Sequence, residues 1–428
     1  MNKKDKQDGI NGQDAENGTG RRDRVGSSNH RRLEHFIKHN PFVQQLYRHG
    51  LSTALRLMGL FLKTDKTLVL MNGHGYLYND SPRSIYRKML ALGLTEQYHV
   101  VWALNEPEKV EIPGCKKIRM DTPEYFLTAL RAGYWISCVN IERGLHFKKR
   151  NQVYLNTWHG AAINVCGNGV SGRRDFQWGY INYFCVCGKY DEVNFGRDFA
   201  LNPASFLRTG LPRNDILYQS TPEMRARIRE SLGLREGKRY LLYAPTWRES
   251  SDGGSSYQIA PPIDWKRWKA ELGEQYEVLL RTHPYTTRLM NVVFDDFVRD
   301  FTDYPEVNDL LIAADVLISD YSSIILDYCI LGKPILCFGY DYDTYRKSRG
   351  FYYDLETEMP NGVMRSEEEI IAHLKGLDYA ADCEKTVRFR ELHCEYGSGD
   401  AALQCINAVF GTQFTEDSER LSERKPTE

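Results

Sequence analysis

Asn308-Asp309-Leu310-Leu311-Ile312-Ala313-Ala314-Asp315-Val316-Leu317-Ile318-Ser319-Asp320-Tyr321-Ser322-Ser323-Ile324-Ile325-Leu326-Asp327-Tyr328 carries a strand, a turn and a helix start in one run. The apolar stretch ends at Ser319, and a helix is predicted to begin near Ser322 and Ser323. Hydroxyls and free backbone N–H groups at a helix start suit a phosphate. Asp327 follows about one turn later, where a carboxylate is placed to hold ribose hydroxyls. The other reading of Ser322 is an ordinary helix cap.

Outward from this run, the same alternation recurs. Towards the N-terminus, strands are predicted at Thr67–Met71, His99–Leu104, Tyr134–Ser137 and Gln152–Asn156, with a helix at Pro82–Leu92 after a loop holding Gly73 and Gly75. A second series follows Pro212-Arg213-Asn214-Asp215, with strands at Arg239–Tyr243, Tyr276–Arg281, Val316–Ser319 and Pro334–Phe338. Strands alternating with helices indicate parallel βαβ units. The expected fold is α/β, with two Rossmann-like domains facing a cleft. The 428 residues divide into a polar segment 1–30 expected to be disordered, a basic amphipathic helical segment 31–66, domains 67–215 and 216–411, and a disordered tail 412–428.

Composition excludes several classes. A net charge of −1 gives no reason to expect nucleic-acid binding. The ten cysteines form no CxxC pair and read as reduced thiols. No HExxH or paired CxxC is present, so neither metal nor cofactor is expected. No signal peptide and no run long enough to span a bilayer is visible. Residues 21–66 carry a local charge of +7, together with an apolar stripe from Leu51 to Leu62. A basic helix of this kind suits an anionic membrane surface, the other reading being a helix packed on the body of the protein.

Ligands in open α/β sheets bind beyond the carboxyl ends of the strands. Four clusters occupy such positions: Asn156-Thr157-Trp158-His159-Gly160, Tyr243-Ala244-Pro245-Thr246-Trp247-Arg248, Arg281-Thr282-His283-Pro284, and the Ser319–Asp327 run. His159, beside a glycine turn, is placed to accept a proton near neutral pH. Pro245, Thr246, Trp247 and Arg248 supply a surface for a base and its phosphate. Both histidines also admit structural roles, and Trp247 can simply cap the core.

These clusters, in this order, resemble the bacterial CDP-glycerol glycerophosphotransferase family, which includes the teichoic acid primases and polymerases. The resemblance runs from about Thr67 to Phe410. It includes Gly210-Leu211-Pro212-Arg213-Asn214-Asp215, Gly332-Lys333-Pro334-Ile335 and Arg349-Gly350-Phe351-Tyr352-Tyr353-Asp354. It implies a GT-B architecture and a CDP-polyol donor, CDP-glycerol above all, held by the C-terminal domain. It also implies a lipid-linked glycan acceptor and peripheral attachment to the cytoplasmic face of the membrane. His159 becomes the expected general base. His283, Ser322 and Ser323 become pyrophosphate ligands, with Arg213 and Arg281 as further phosphate candidates. Two stretches depart from the family pattern: Ala161-Ala162-Ile163-Asn164-Val165 after the His-Gly pair, and Gly397-Ser398-Gly399-Asp400-Ala401-Ala402, which lacks an arginine. Competing readings are a GT-B glycosyltransferase using a nucleotide sugar, a nucleotide-sugar epimerase, and a non-catalytic scaffold. Oligomeric state is left open.

Overall fold

Thirteen parallel strands in the described residues build two sheets, with helices in most of the connections between them. The computed structural model describes residues 41–246, 261–282 and 292–415. The segments expected to be disordered, 1–30 and most of 412–428, lie outside these residues, as does the start of the basic segment. The helix Pro41–Phe61 begins in an N-terminal unit that ends at Ser52. Both sheets belong to the second unit, Thr53–Glu428.

The first sheet comprises β1 (Asp65–Asn72), β2 (His99–Leu104), β3 (Lys116–Arg119), β4 (Ala132–Ser137), β5 (Val153–Asn156), β6 (Tyr183–Cys185) and β7 (Phe206–Leu207), in the order β3-β2-β1-β4-β5-β6-β7. The second comprises β8 (Arg239–Tyr243), β9 (Tyr276–Leu280), β10 (Val298–Asp300), β11 (Val316–Ser319), β12 (Ile335–Phe338) and β13 (Val363–Met364), in the order β10-β9-β8-β11-β12-β13. Both orders reverse beside their first strand, which is the doubly wound Rossmann arrangement. The pairing explains the sequence pattern. Central strands are covered on both faces and read as unbroken apolar runs, as in Val69–Met71 and Leu241–Tyr243, all buried. The eight strands expected from sequence are present within one or two residues. The five that went unpredicted, β3, β6, β7, β10 and β13, have two to four residues each.

The chain does not stay in the second half to its end. The helix Ala401–Phe410 packs on the helix Asp80–Ala91 and on β5 of the first sheet. The sequence reading had grouped it with residues 216–411. Its buried face of Ala402, Cys405, Ile406 and Val409 has the helical spacing that such docking requires. Phe410 stacks on Tyr98 and Tyr134. The departing stretch Ala161–Val165 also joins the halves. Tyr352 donates its amide to the Ile163 carbonyl at 2.9 Å, Val165 donates to the Gly350 carbonyl at 3.2 Å, and Asn164 bridges antiparallel to Phe351.

Candidate functional site

The strand order reverses between β1 and β4 and between β8 and β11, and the chemistry-bearing residues lie beyond the carboxyl ends of these strands and their neighbours. A cavity of about 650 Å³ opens there. His74, Asp80, Arg83, His159 and Arg213 line it from the first half of the chain. Arg281, Glu306, Ser322, Ser323 and Asp327 line it from the second.

The position of His159 follows from the turn before it. Asn156 is buried at the end of β5, and its Oδ1 accepts the Trp158 amide at 2.8 Å. Trp158 takes a left-handed φ of 52°, a cost of about 1–3 kcal/mol that a packed site can sustain. Trp158 also stacks on His159, with ring centroids 4.0 Å apart, and backs onto Phe176, Trp178 and Phe199. His159 Nδ1 lies 2.9 Å from the Cys138 carbonyl oxygen. A carbonyl only accepts, so Nδ1 carries the proton and Nε2 keeps its lone pair. Burial, reinforced by His74 nearby, pushes the His159 pKa down to about 4. At neutral pH the ring is therefore an uncharged base.

His74 is a site residue that the sequence reading passed over. It follows β1, its ring centroid lies 4.7 Å from that of His159, and burial lowers its pKa too. The signal was present: Gly73-His74-Gly75 directly follows a central strand.

Arg213 is committed to protein groups. It donates to Asp80 Oδ2 at 2.9 Å, to the His159 carbonyl at 2.9 Å and to Asp327 Oδ2 at 2.8 Å, with its side chain 14% exposed. Asn214 donates to the other Asp327 oxygen at 2.6 Å. Arg213 thus braces the two halves, and each Asp327 oxygen accepts one hydrogen bond from them, while both side chains also line the cavity. Burial acts to raise the Asp80 pKa, but Arg213 and the Ser81 amide outweigh it and hold the carboxyl below its ordinary range.

Arg281 keeps an unpaired charge. Its guanidinium donates to the Phe301 and Tyr304 carbonyls at 3.1 and 2.6 Å, and it forms no ion pair among the described residues. Burial lowers its pKa, with only partial compensation from Asp303. A cation in that state favours an incoming anion. Ser322 and Ser323 line the same cavity at the end of the β11 turn. Pro245 and Thr246 lie outside the lining, and the Thr246 amide is donated to Asp320 at 2.7 Å. Trp247, Arg248 and His283 fall outside the described residues. Among the described residues no group of histidines, cysteines and carboxylates could hold a metal ion.

Two facing Rossmann-type sheets, with a neutral base on one and hydroxyls and an unpaired cation on the other, define a GT-B-like transferase. The family is specific: residues 54–411 match the CDP-glycerol:poly(glycerophosphate) glycerophosphotransferase model, and the chain belongs to that family. It is 30% identical over 361 residues to a teichoic acid poly(glycerol phosphate) polymerase of Staphylococcus epidermidis, covering 79% of this chain but 49% of that one. A teichoic acid glycerol-phosphate transferase of Staphylococcus aureus is 27% identical, with 86% of this chain and 98% of the relative covered. The chain thus spans about half the length of the first relative and nearly all of the second. A variant of the wall teichoic acid polymerase TagF soaked with CDPG superposes with a TM-score of 0.73 at 26% identity, covering 92% of this chain and 99% of that solved chain.

Proposed function

We propose that this chain transfers glycerol phosphate from CDP-glycerol to a lipid-linked teichoic acid-type acceptor and releases CMP. Family membership supports the reaction class. Within the site the reading rests on one observation: His159, held as an Nδ1–H tautomer that leaves Nε2 its lone pair, lines a cavity shared with Ser322, Ser323 and Arg281.

The step follows from that arrangement. His159 Nε2 takes the proton of the acceptor hydroxyl as its oxygen bonds to the β-phosphorus. The bond from that phosphorus to the oxygen bridging to the α-phosphate breaks, and CMP departs with the electron pair. Charge spreads over the phosphate oxygens, so positioned donors carry most of the acceleration. Arg281 and the hydroxyls of Ser322 and Ser323 serve as these donors, and the family resemblance adds His283. A lipid-borne acceptor places the chain at the cytoplasmic face of the membrane as a peripheral protein, against an anionic surface. No helix among the described residues is long and apolar enough to cross a membrane.

The test is CMP release and acceptor extension with CDP-glycerol, CDP-ribitol and nucleotide sugars offered in parallel. CDP-glycerol is expected to turn over, and His159→Ala to cut the rate about 10²–10⁴-fold. Preferential turnover of a nucleotide sugar, or a His159→Ala protein with more than a third of wild-type activity, refutes the reading.

A further inference from the structure

Among the described residues, the non-glycine positions with a left-handed φ gather at one place in the fold. Tyr76 and Asp80 follow β1, Asp121 follows β3, Arg143 follows β4 and Trp158 follows β5, so all lie beyond the carboxyl ends of the first sheet's strands; Ala200 is the exception. Such conformations persist only where the surroundings enforce them, and they concentrate at ligand sites. The turn at Trp158 places His159. The strain at the neighbouring strand ends needs its own reason.

Tyr76, Asp121 and Arg143, with φ of 57°, 58° and 56°, form one clasp. The Arg143 guanidinium donates to both Asp121 carboxylate oxygens, at 2.8 and 2.9 Å, and to the Tyr76 hydroxyl. It also lies over the Tyr76 ring, 4.5 Å from the centroid. Asn105, just after β2, donates its amide to the Tyr76 carbonyl at 3.0 Å and its Nδ2 to the Gly75 carbonyl at 2.9 Å. Loops from four neighbouring strands thus converge on Gly75 and Tyr76. The Arg143 and Asp121 side chains are 33% and 51% exposed, and an ion pair that open to water returns less than three left-handed residues cost together. The clasp is therefore a poor source of stability. What it fixes is the residue at the start of the same turn, His74.

The His74 ring lies 4.7 Å from that of His159, centroid to centroid, and lines the cavity that holds Ser322, Ser323 and Arg281. Neither of its nitrogens makes a hydrogen bond among the described residues. Burial lowers the His74 pKa, with Asp80 opposing and Arg213 reinforcing, so the ring is uncharged at neutral pH. A neutral imidazole offers one N–H donor and one lone pair, which together complement a hydroxyl group. Two neutral imidazoles side by side suit hydroxyls on adjacent carbons: one gives its proton to His159, and the other hydrogen-bonds to His74. A phosphate at this place would need a cation, and an isolated hydroxyl would leave His74 without a partner.

We propose that His74 binds the acceptor hydroxyl adjacent to the one that attacks, so that the site selects an acceptor ending in a vicinal diol, with Tyr76, Arg143 and Asp121 holding His74 in position. This assignment rests on the proposed transfer to an acceptor hydroxyl, and it names the group that orients that hydroxyl towards His159.

The test compares two soluble acceptors, the octyl phosphodiesters of glycerol and of propane-1,3-diol, which differ only in the hydroxyl beside the attacking one. Transfer from CDP-glycerol to each is measured as kcat/KM. Wild type is expected to favour the glycerol ester about 5-fold, the contribution of one neutral hydrogen bond. His74→Phe keeps a ring against His159 but removes both nitrogens, and it is expected to use the two esters equally. Asp121→Gly suits the left-handed φ without strain and opens the clasp. It is expected to melt no lower than wild type and to lose most of the preference. Asp121→Asn tolerates the same φ and keeps one acceptor for Arg143, so it is expected to retain more of it. If His74→Phe does not fold or turn over, Asp121→Gly decides alone. Four results overturn the assignment: equal use of both esters by wild type, use of neither despite CMP release from CDP-glycerol, an unchanged preference in His74→Phe, or an Asp121→Gly protein that melts lower yet keeps the full preference. Absence of CMP release from CDP-glycerol by wild type fails the transferase reading itself, and this assignment with it.

Discussion

Gly160→Ala is expected to disable the enzyme through space alone. Gly160 does not have a positive φ, so alanine suits its backbone. Its added Cβ, however, would lie 2.4 Å from Ser323 Oγ and 2.8 Å from Ser323 Cβ. Rotating the Ser323 hydroxyl relieves the first contact but not the second, because Cβ is fixed to the backbone. The two loops must separate by about 1 Å to reach ordinary contact. That separation falls between His159, one residue away, and the Ser322–Ser323 turn opposite. Overpacking of this kind costs about 1–3 kcal/mol of stability, and a 1 Å misplacement of reacting groups costs about 100-fold in rate. Urea unfolding and CMP release from CDP-glycerol read the two effects separately. Adding Ser323→Gly removes both contacts, so the double variant is expected to regain stability while remaining slow, the Ser323 hydroxyl now being absent. Wild-type stability and turnover in Gly160→Ala would refute the reasoning, as would a double variant no more stable than Gly160→Ala.

Arg213→Ala leaves Asp80 and Asp327 buried without their partner and is expected to cost about 3–5 kcal/mol in urea unfolding; a loss below 1 kcal/mol would dismiss the brace. His74→Gln is expected to lower turnover while CDP-glycerol affinity stays near wild type, because it borders His159 on the first-sheet side; a pure donor-affinity defect would place it elsewhere. The acid limb of turnover is expected near the His159 pKa of about 4 and not near 6.5, and a limb at 6.5 would contradict a buried neutral ring. Stability carries the matching sign. Between pH 6.5 and 4 the unfolded His159 binds a proton and the folded one does not, so stability falls as pH falls. His159→Asn is expected to remove up to about 3 kcal/mol of that loss. Asp215, raised to about 6 by burial, works in the opposite sense, favouring the folded state as pH falls through 6.

The strands that position the site were legible because burial on both faces forces continuous apolar runs such as Val69–Met71 and Val316–Ile318. The short edge strands were not, since two residues such as Phe206–Leu207 hold no period to read. His159 was legible because a strand end followed by His-Gly marks the cleft. The return of the helix Ala401–Phe410 to the first sheet was not, because its apolar face fits either half by composition. It is assigned by Asp215, which accepts the Ala401 and Ala402 amides at 2.9 Å each, and that long-range cap leaves no local pattern. Ala161–Val165 departs from the family pattern after the His-Gly pair. Its backbone pairing with residues 350–352 depends little on side chains, which is why the substitution is accommodated there.

The linker Gly210–Asp215 shows why the strength of a motif and contact with substrate are separate matters. Gly210, with φ 73°, lets the chain pass Gly397, where an added Cβ would come within 3.1 Å of the neighbouring Cα. Arg213 ties Asp80 to Asp327, Asn214 takes the other Asp327 oxygen, and Asp215 caps the closing helix. Arg213 and Asp327, which look like ligands for phosphate and ribose, also hold the halves in register. Arg281 lines the cavity with no ion pair among the described residues, its guanidinium held there by the Phe301 and Tyr304 carbonyls. A transferase of this kind must bring a base from one sheet to a phosphate on the other, so fixing their separation is itself a catalytic requirement. Arg83 serves the same end with a bidentate pair to Glu306 at 2.7 and 2.6 Å across the cavity mouth. Because that pair sits at the rim, with side chains 17% and 31% exposed, salt weakens it more than it weakens the buried Arg213 pairs.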